Sequence, residues 1–318
     1  MNILITGGAG FIGSNFIRHI LNKYPEYKVV NLDKLSYCGN LENLKDVENN
    51  PNYKFVKGDI CDSDVVNDIV KGCDAIVHFA AQTHVDRSIV DASEFIQTNV
   101  YGTYVLLEAA KKYKIKRVVH ISTDEVYGSI ERGSFKEEDA LHPNRPYAAS
   151  KAAADHLVHA YFVTYNLPVI IIRSSNNFGC WQYPEKLIPR CIILALQDKN
   201  IPVFGNGLQR REWLYVLDCI EAIDTIIHKG EIGDIYNVGS GNEWTNLEAV
   251  KFILKELGKP QHLIKFVKDR PGHDRRYSMD FSKIRGLGWQ PKFQLQQALK
   301  ETIGWYQDNG QWWKRLKS

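Results

Sequence analysis

The sequence predicts an α/β protein: a doubly wound parallel sheet followed by a smaller C-terminal lobe. Three observations predict it. Short β-branched runs and helix-length segments alternate repeatedly through residues 1–173, the order of a parallel sheet built with right-handed crossovers. Two of the runs, Ala75-Ile-Val-His-Phe-Ala-Ala81 and Val169-Ile-Ile-Ile172, lack apolar/polar alternation, as strands buried on both faces do. A glycine-rich turn, Thr6-Gly7-Gly8-Ala9-Gly10-Phe11-Ile12-Gly13, joins the first apolar run to the first helical segment.

Taken in order, Ile3 to Thr6 is the first strand and Phe11 to Lys23 the first helix. Val29–Asp33, Lys54–Val56, Ala75–Ala81, Arg117–Thr123 and Pro168–Arg173 read as further strands, with helices over Ser63–Lys71, Phe95–Tyr113 and Tyr147–Asn166. After Arg173 the pattern changes. Ser174 to Arg211 holds Pro184, Pro189 and Pro202, several glycines and one clear helix near Leu187–Gln197. Trp213–Val216 reads as a strand, Asp218–His228 as a helix and Asp234–Val238 as one more sheet strand. A helix over Leu247–Leu257, an Arg-rich loop over Lys268–Arg276 and a helix near Leu295–Tyr306 complete the chain. Trp289, Trp305, Trp312 and Trp313 are expected to pack that last helix. The sequence divides into a nucleotide-binding domain, residues 1–173 and 212–238, and a lobe made of residues 174–211 and 239–318.

Composition narrows the function. A chain of 318 residues with 44% apolar residues has room for about two domains and a sizeable core. Lys plus Arg is 40 against 37 Asp plus Glu, a net charge of +3, which argues against a dedicated nucleic-acid binder. No apolar run approaches the roughly 18 residues of a membrane span, and the first residues do not read as a signal peptide. Cys38, Cys61, Cys73, Cys180, Cys191 and Cys219 show no C-x-x-C and no framework spacing, which points to reduced thiols in the cytoplasm and to no zinc site.

The chemistry-bearing residues fall at expected places. Gly7, Gly10 and Gly13 form G-x-x-G-x-x-G, and Gly8, Gly10 and Gly13 also satisfy G-x-G-x-x-G. Without side chains there, backbone N–H groups reach a pyrophosphate at the positive end of a helix. Asp33 closes the second strand, where a carboxylate binds ribose hydroxyls and repels a 2′-phosphate, so NAD is expected rather than NADP. Asp59-Ile60, after the third strand, is either the adenine edge or an ordinary loop. Tyr147 and Lys151 form Y-x-x-x-K on one helix face. A free tyrosine, with a pKa of about 10, is a poor base; an ammonium about 4 Å away is worth roughly 4 kcal/mol at an effective dielectric of about 20, enough to draw that pKa down by about three. At the end of the fifth strand Thr123-Asp124-Glu125 sets two carboxyl groups side by side, which permits one to stay protonated as an acid while the other is ionised as a base.

Longer stretches carry a resemblance. Ala81-Gln-Thr-His-Val-Asp-Arg-Ser88, Ser122-Thr-Asp-Glu-Val-Tyr-Gly128, Ser175-Asn-Asn-Phe-Gly179, Pro184-Glu-Lys-Leu-Ile-Pro189, Arg211-Glu-Trp-Leu-Tyr-Val216 and Asp269-Arg-Pro-Gly-His-Asp-Arg-Arg-Tyr277 make nearly the whole chain similar to the extended short-chain dehydrogenases/reductases of Rossmann type. Within them it resembles the nucleotide-sugar 4,6-dehydratases, most closely those acting on dTDP-glucose. The resemblance implies a mechanism. Tyr147, helped by Lys151 and Thr123, deprotonates the sugar 4-hydroxyl and C4 gives its hydride to tightly bound NAD; Glu125 removes the C5 proton, Asp124 protonates the leaving 6-hydroxyl, the hydride returns to C6 and C5 is reprotonated. The product is a 4-keto-6-deoxy sugar, a precursor in deoxysugar biosynthesis such as that of rhamnose.

It further implies that Gly7, Gly10, Phe11, Ile12, Gly13, Asp33, Asp59, Ile60, Thr98, Tyr147, Lys151 and Asn177 contact the cofactor. Lys186, Arg211, Arg270 and His273 would hold the diphosphate and nucleoside, Asn176, Glu185 and Thr83 the hexose, and Asn246 the nucleotide. A homodimer is implied, joined through the helices near Phe95–Tyr113 and Tyr147–Asn166. His78 and His84 are expected to support the fold or the site rather than to react. Three places depart from the usual pattern: Cys180-Trp181 stands for a proline and an aromatic, Gln82-Thr83 for Glu-Ser, and Glu212 for an aspartate. None is a catalytic position. Thymine and uracil differ by one methyl group, worth about 1–3 kcal/mol, so UDP-glucose stands as the alternative to dTDP-glucose. An epimerase or decarboxylase would lack the Asp124-Glu125 pair, and a non-catalytic dinucleotide sensor would lack Tyr147 or Lys151.

Overall fold

The computed structural model describes residues 1–316. The final two residues of the expected 239–318 segment lie outside them. Twelve strands run in chain order: β1 (Asn2–Thr6), β2 (Lys28–Asp33), β3 (Tyr53–Lys57), β4 (Ala75–His78), β5 (Arg117–Thr123), β6 (Val169–Ser174), β7 (Asn176–Phe178), β8 (Ile201–Phe204), β9 (Arg210–Tyr215), β10 (Ile235–Val238), β11 (Glu243–Thr245) and β12 (Ile264–Val267). Seven form one parallel sheet in the order β10-β6-β5-β4-β1-β2-β3. Successive strands step outward from β1 to β3, then continue from β4 on the other side. The order reverses between β1 and β4, and a crevice opens at such a reversal.

The sheet is apolar on both faces because alternate residues point opposite ways. Ile3 and Ile5 join the cluster containing the helices Phe11–Lys23 and Val216–Lys229, while Leu4 joins the cluster with Ser63–Val70 and Thr103–Lys112. β4 and β6 are buried at every residue. The apolar run to Ala81 ends as strand at His78, because Phe79 onward leaves the sheet to line the crevice. The helix expected over 95–113 is a helical run from Ser93 to Lys112 whose middle, Ile96–Gly102, is a π-helix, a winding found often at functional sites. The helix Pro146–Tyr165 begins with proline in its first turn and ends at Asn166 in the left-handed region, φ 54°, the usual start and stop chemistry.

The strand expected at 213–216 is β9, which pairs with β7 and β11 in a separate small sheet. β8 and β12 form a parallel pair. The helix Asn246–Glu256 is closed by a capping box between Thr245 and Glu248. Trp305, Trp312 and Trp313 pack around the last helices as expected. Trp289 shares a core cluster with Leu295, Ala298 and Leu299 of the last long helix, and its indole donates to Asp218 O at 3.2 Å, on the helix Val216–Lys229. No described helix is long and apolar enough to cross a membrane.

Candidate active site

The glycine turn leaves β1 at the reversal point. Gly7 has φ +71°, and a Cβ there would lie 2.6 Å from Ala80 N; one on Gly13 would lie 2.5 Å from Gly7 O. Gly10 precedes the helix Phe11–Lys23, whose start has no side-chain cap, so its leading N–H groups face the crevice end of the sheet. Asp33 accepts from Ala9 N at 2.9 Å and Leu35 N at 2.8 Å; burial pushes its carboxyl up, and those two bonds oppose it. The turn is also tied from behind. Asn43 donates to Ala9 O at 2.9 Å and accepts from the Trp312 indole at 2.9 Å. Burial raises the Asp59 carboxyl, but Lys34 at 2.7 Å prevails and holds it below the usual range. Ile60 packs against Gly102, where a Cβ would meet it at 2.5 Å, and Thr98 sits in the π-helix.

Tyr147 and Lys151 lie one turn apart at the start of the helix Pro146–Tyr165. The lowering of the Tyr147 phenol expected from Lys151 does not prevail: burial raises it, as do the charges of Glu125 and Asp124, while Thr123 and Arg145 oppose them. The Lys151 ammonium donates to Ile121 O at 2.7 Å and stands 3.4 Å from His120 Nε2; burial draws it down to about 8. Between them, Ser150 bonds Asn99, which also clasps both backbone groups of Gln82.

Thr123 ends β5 and caps a single 3₁₀ turn, Asp124–Tyr127. The two acids meet different surroundings. Asp124 is 2% exposed; burial, then the charges of Glu125 and Glu212, push its carboxyl well above the usual range. Its carboxyl accepts from Thr123 at 3.1 Å through one oxygen, and the other has no hydrogen-bond partner among the described residues. Glu125 instead accepts from Arg145 at 2.5 Å.

One crevice of about 420 Å³ is lined by every expected cofactor and substrate residue, together with Thr123, Glu125, Tyr147 and Lys151. Asp124 is the exception: its side chain is buried beside Thr123 and is not on the wall. At the far end Lys186 reaches Thr83 O at 2.7 Å, Arg270 pairs with Asp86 at 3.1 Å, and His273 with Asp269 at 2.6 Å. Burial lowers His273 to about 4, so the ring is neutral near pH 7. Among the described residues, Asn176 Oδ1, Asn177 Oδ1, Asn246 Oδ1 and Arg270 Nε are buried without a hydrogen-bond partner, while the Glu185 oxygens face His84 at 3.4 Å and Lys186 at 3.6 Å. Buried polar atoms are rarely left so, and a ligand rich in hydroxyl, amide and phosphate groups matches them. No group of three or more potential ligands that could hold a metal ion occurs among the described residues.

The family model described as GDP-mannose 4,6-dehydratase matches residues 4–302. The chain belongs to this family. A dTDP-glucose 4,6-dehydratase of Streptomyces niveus is 51% identical, with 100% of this chain and 96% of that one covered. A trifunctional UDP-glucose 4,6-dehydratase, 3,5-epimerase and reductase of Arabidopsis thaliana is 47% identical over 98% of this chain and 48% of its own length. Among solved structures, DesIV, a dTDP-glucose 4,6-dehydratase from Streptomyces venezuelae with NAD and dTDP bound, superposes with a TM-score of 0.98 at 47% identity, covering 100% of both chains.

This member of the 4,6-dehydratase family also brings to the crevice residues that no local pattern announces. Arg145, Tyr277 and Gln182 are on its wall. Arg145 joins Glu125 to Asp274 at 3.0 Å and to the Tyr277 hydroxyl. The three departures from the family pattern have structural settings. Trp181 adopts φ +68° and lies against Trp305, Trp312 and Arg18. Glu212 is buried and accepts the N–H groups of Ser240, Gly241 and Met279. Gln82 is the residue held by Asn99.

Proposed function

We propose that the protein is a hydro-lyase that converts a nucleoside-diphosphate glucose, dTDP-glucose foremost, to the 4-keto-6-deoxy sugar. The observation that carries this reading is the split Asp124–Glu125 pair at the end of β5: one carboxyl is buried where charge is disfavoured, the other faces a guanidinium. Groups driven apart in this way suit an acid and a base for one elimination.

The residues present fit NAD. Side chains at Gly7 and Gly13 would collide with the backbone of Ala80 and Gly7 and force open the tight turn that presents N–H groups to a pyrophosphate, Asp33 keeps lone pairs for ribose hydroxyls, and the unpartnered Asn177 Oδ1 suits a carboxamide. Bound NAD supplies a hydride acceptor for C4 and a hydride donor for C6 within one turnover, and is held like a prosthetic group. Tyr147 takes the proton of the 4-hydroxyl, with Thr123 and the Lys151 charge favouring the phenolate. Glu125 takes the C5 proton, made acidic by the new ketone, and Asp124 gives its proton to the leaving 6-hydroxyl. Lys186, Arg211, Arg270 and His273 serve the nucleotide, with Asn246; Thr83, Asn176 and Glu185 serve the hexose. Residues 1–173 and 212–238 form the dinucleotide-binding domain, and 174–211 with 239–318 the sugar-nucleotide lobe. Exposed Tyr101, Tyr104, Val163 and Tyr165, on the two helices expected at a dimer contact, support a homodimer. Six free cysteines suit the reducing cytoplasm.

Mass spectrometry of the purified protein with dTDP-glucose and with UDP-glucose, no NAD added, tests this. Loss of one water supports the dehydratase and a retained cofactor, and the faster substrate identifies the base. Inversion at a sugar carbon without water loss makes it an epimerase.

A further inference from the structure

We propose that Arg145 is a positioning residue for Glu125, and that Asp274 and Tyr277 fasten it to the loop that carries the nucleotide-binding Arg270 and His273. The base of the elimination is thereby aligned by the same loop that grips the diphosphate. The proposal rests on the reading of Glu125 as the C5 base.

Arg145 immediately precedes the helix Pro146–Tyr165 and is 5% exposed. One of its terminal nitrogens, Nη2, is 2.5 Å from Glu125 Oε2 and 3.0 Å from Asp274 Oδ2, and it donates to the Tyr277 hydroxyl. Both Asp274 oxygens are engaged, by the Tyr277 hydroxyl at 2.5 Å and Asn144 Nδ2 at 2.5 Å. The backbone carbonyl of Asp274 accepts from Arg211 at 3.0 Å, and the Arg211 guanidinium lies 4.4 Å from the Tyr277 ring centre. Gly272, at φ +61°, lets the loop lie on this segment, for a Cβ there would stand 3.1 Å from Asn144 O.

Three segments distant in sequence therefore meet at one buried guanidinium, and each is restrained by the others. Charge-assisted bonds of this kind are short and directional, so they hold the Glu125 carboxylate in one orientation. A displacement of about 1 Å at a reacting group costs on the order of 10²-fold in rate. Movement of the 269–277 loop would withdraw Asp274 and Tyr277 from Arg145 and release that restraint. A nucleotide seated on Arg211, Arg270 and His273 holds the loop in place, so the binding contacts and the base share one set of bonds.

The test uses Tyr277→Phe, Asp274→Asn, Arg145→Gln and Arg145→Lys, with dTDP-glucose and its 5-deuterated form. Expected are falls in kcat of about 10- to 100-fold with KM within about twofold, and a deuterium isotope effect on kcat larger than that of the wild type. Arg145→Lys should recover part of the rate lost in Arg145→Gln. Arg145→Gln strips the guanidinium from the buried Glu125 and Asp274 carboxylates and can fail to fold, although Asp274 keeps its bonds to Asn144 and Tyr277; Tyr277→Phe removes one hydroxyl and carries the test by itself. Wild-type kcat and isotope effect in Tyr277→Phe and Asp274→Asn overturn the proposal, as does a raised KM with unchanged kcat, the signature of a loop that only binds. Glu125→Gln separates the two readings. If it is inactive while the network variants keep wild-type kcat, only the proposal falls; if it dehydrates at the wild-type rate, Glu125 is not the base and both fall.

Discussion

Replacing Lys151 with methionine should stabilise the protein while abolishing its chemistry. Lys151 is 3% exposed, and burial lowers its ammonium from an ordinary 10.5 to about 8, with Asp155 opposing. Below about pH 8 the group is protonated in both folded and unfolded chains, so folding bears the whole cost of burying the charge. Between about 8 and 10.5 the unfolded chain keeps a proton that the folded chain has lost, and stability rises with pH; above 10.5 the cost is gone. At about 1.36 kcal/mol per pKa unit, that cost is about 3 kcal/mol at pH 7 and about 1 kcal/mol at pH 9.5. Methionine keeps most of the volume and forfeits the bond to Ile121 O, worth about 1 kcal/mol at either pH. The variant should therefore be more stable than wild type by about 2 kcal/mol at pH 7 and nearly equal to it at pH 9.5. Urea unfolding of both proteins, stripped of nucleotide so that ligand binding does not add to native stability, measures this. Groups common to both proteins cancel in the difference. A variant less stable than wild type at pH 7, or a gap that does not change with pH, would refute the reasoning.

Asp124→Asn combined with Glu125→Gln should retain NAD and oxidise C4 but lose dehydration by about 10²- to 10⁴-fold; near wild-type water loss by mass spectrometry would remove both residues from their roles. Gly13→Ala puts a Cβ 2.5 Å from Gly7 O and 2.8 Å from Gly8 Cα, so the turn must open and the purified protein should carry far less nucleotide. An unchanged NAD content after heat release would contradict a pyrophosphate site there. Asp224 is buried and receives His19, Lys23, Tyr24 and His228; although burial opposes them, these partners hold its carboxyl far below the usual range. Asp224→Asn should cost on the order of 3 kcal/mol. Its hydrogen bond raises His228, so that share of the stability is present below about pH 6.5 and lost as pH rises through the raised value. The gap between wild type and Asp224→Asn should be wider near pH 5.5 than near pH 8, and the opposite order in denaturant unfolding would count against the pairing.

The main sheet could be read from the sequence because parallel strands covered on both faces contain no polar alternation, as β4 and β6 show. β7, β8, β11 and β12 could not be read. Each has three or four residues and lies outside the main sheet, with no buried run of the kind that marks the equally short β4, and each exists through pairing with a distant partner. The end of β4 was hidden too, since Phe79-Ala80-Ala81 remains apolar where the chain turns from the strand into the crevice wall, with Phe79 N still bonded to Thr6 O at 3.0 Å. In the site, chemistry with local spacing was legible: the glycine turn, Tyr147 with Lys151, and Thr123-Asp124-Glu125. Arg145 sits in a proline-flanked stretch that resembles a surface connection, and its partners lie 20 and 132 positions away. Asn43 is equally silent, because its two side-chain bonds join the glycine turn to a tryptophan 269 positions downstream.

That last link bears on how the protein is made. Every residue expected to touch the dinucleotide lies at or before Asn177, so a nascent chain little longer than half the sequence already displays the whole cofactor motif. It does not yet have Trp312, whose indole holds Asn43 against the carbonyl of Ala9, or the helix Leu295–Asp308 that supports it. Contacts of such long range close late. The turn is thus synthesised first and braced last. A truncated N-terminal half would carry the complete motif and still exchange nucleotide more freely than the full chain.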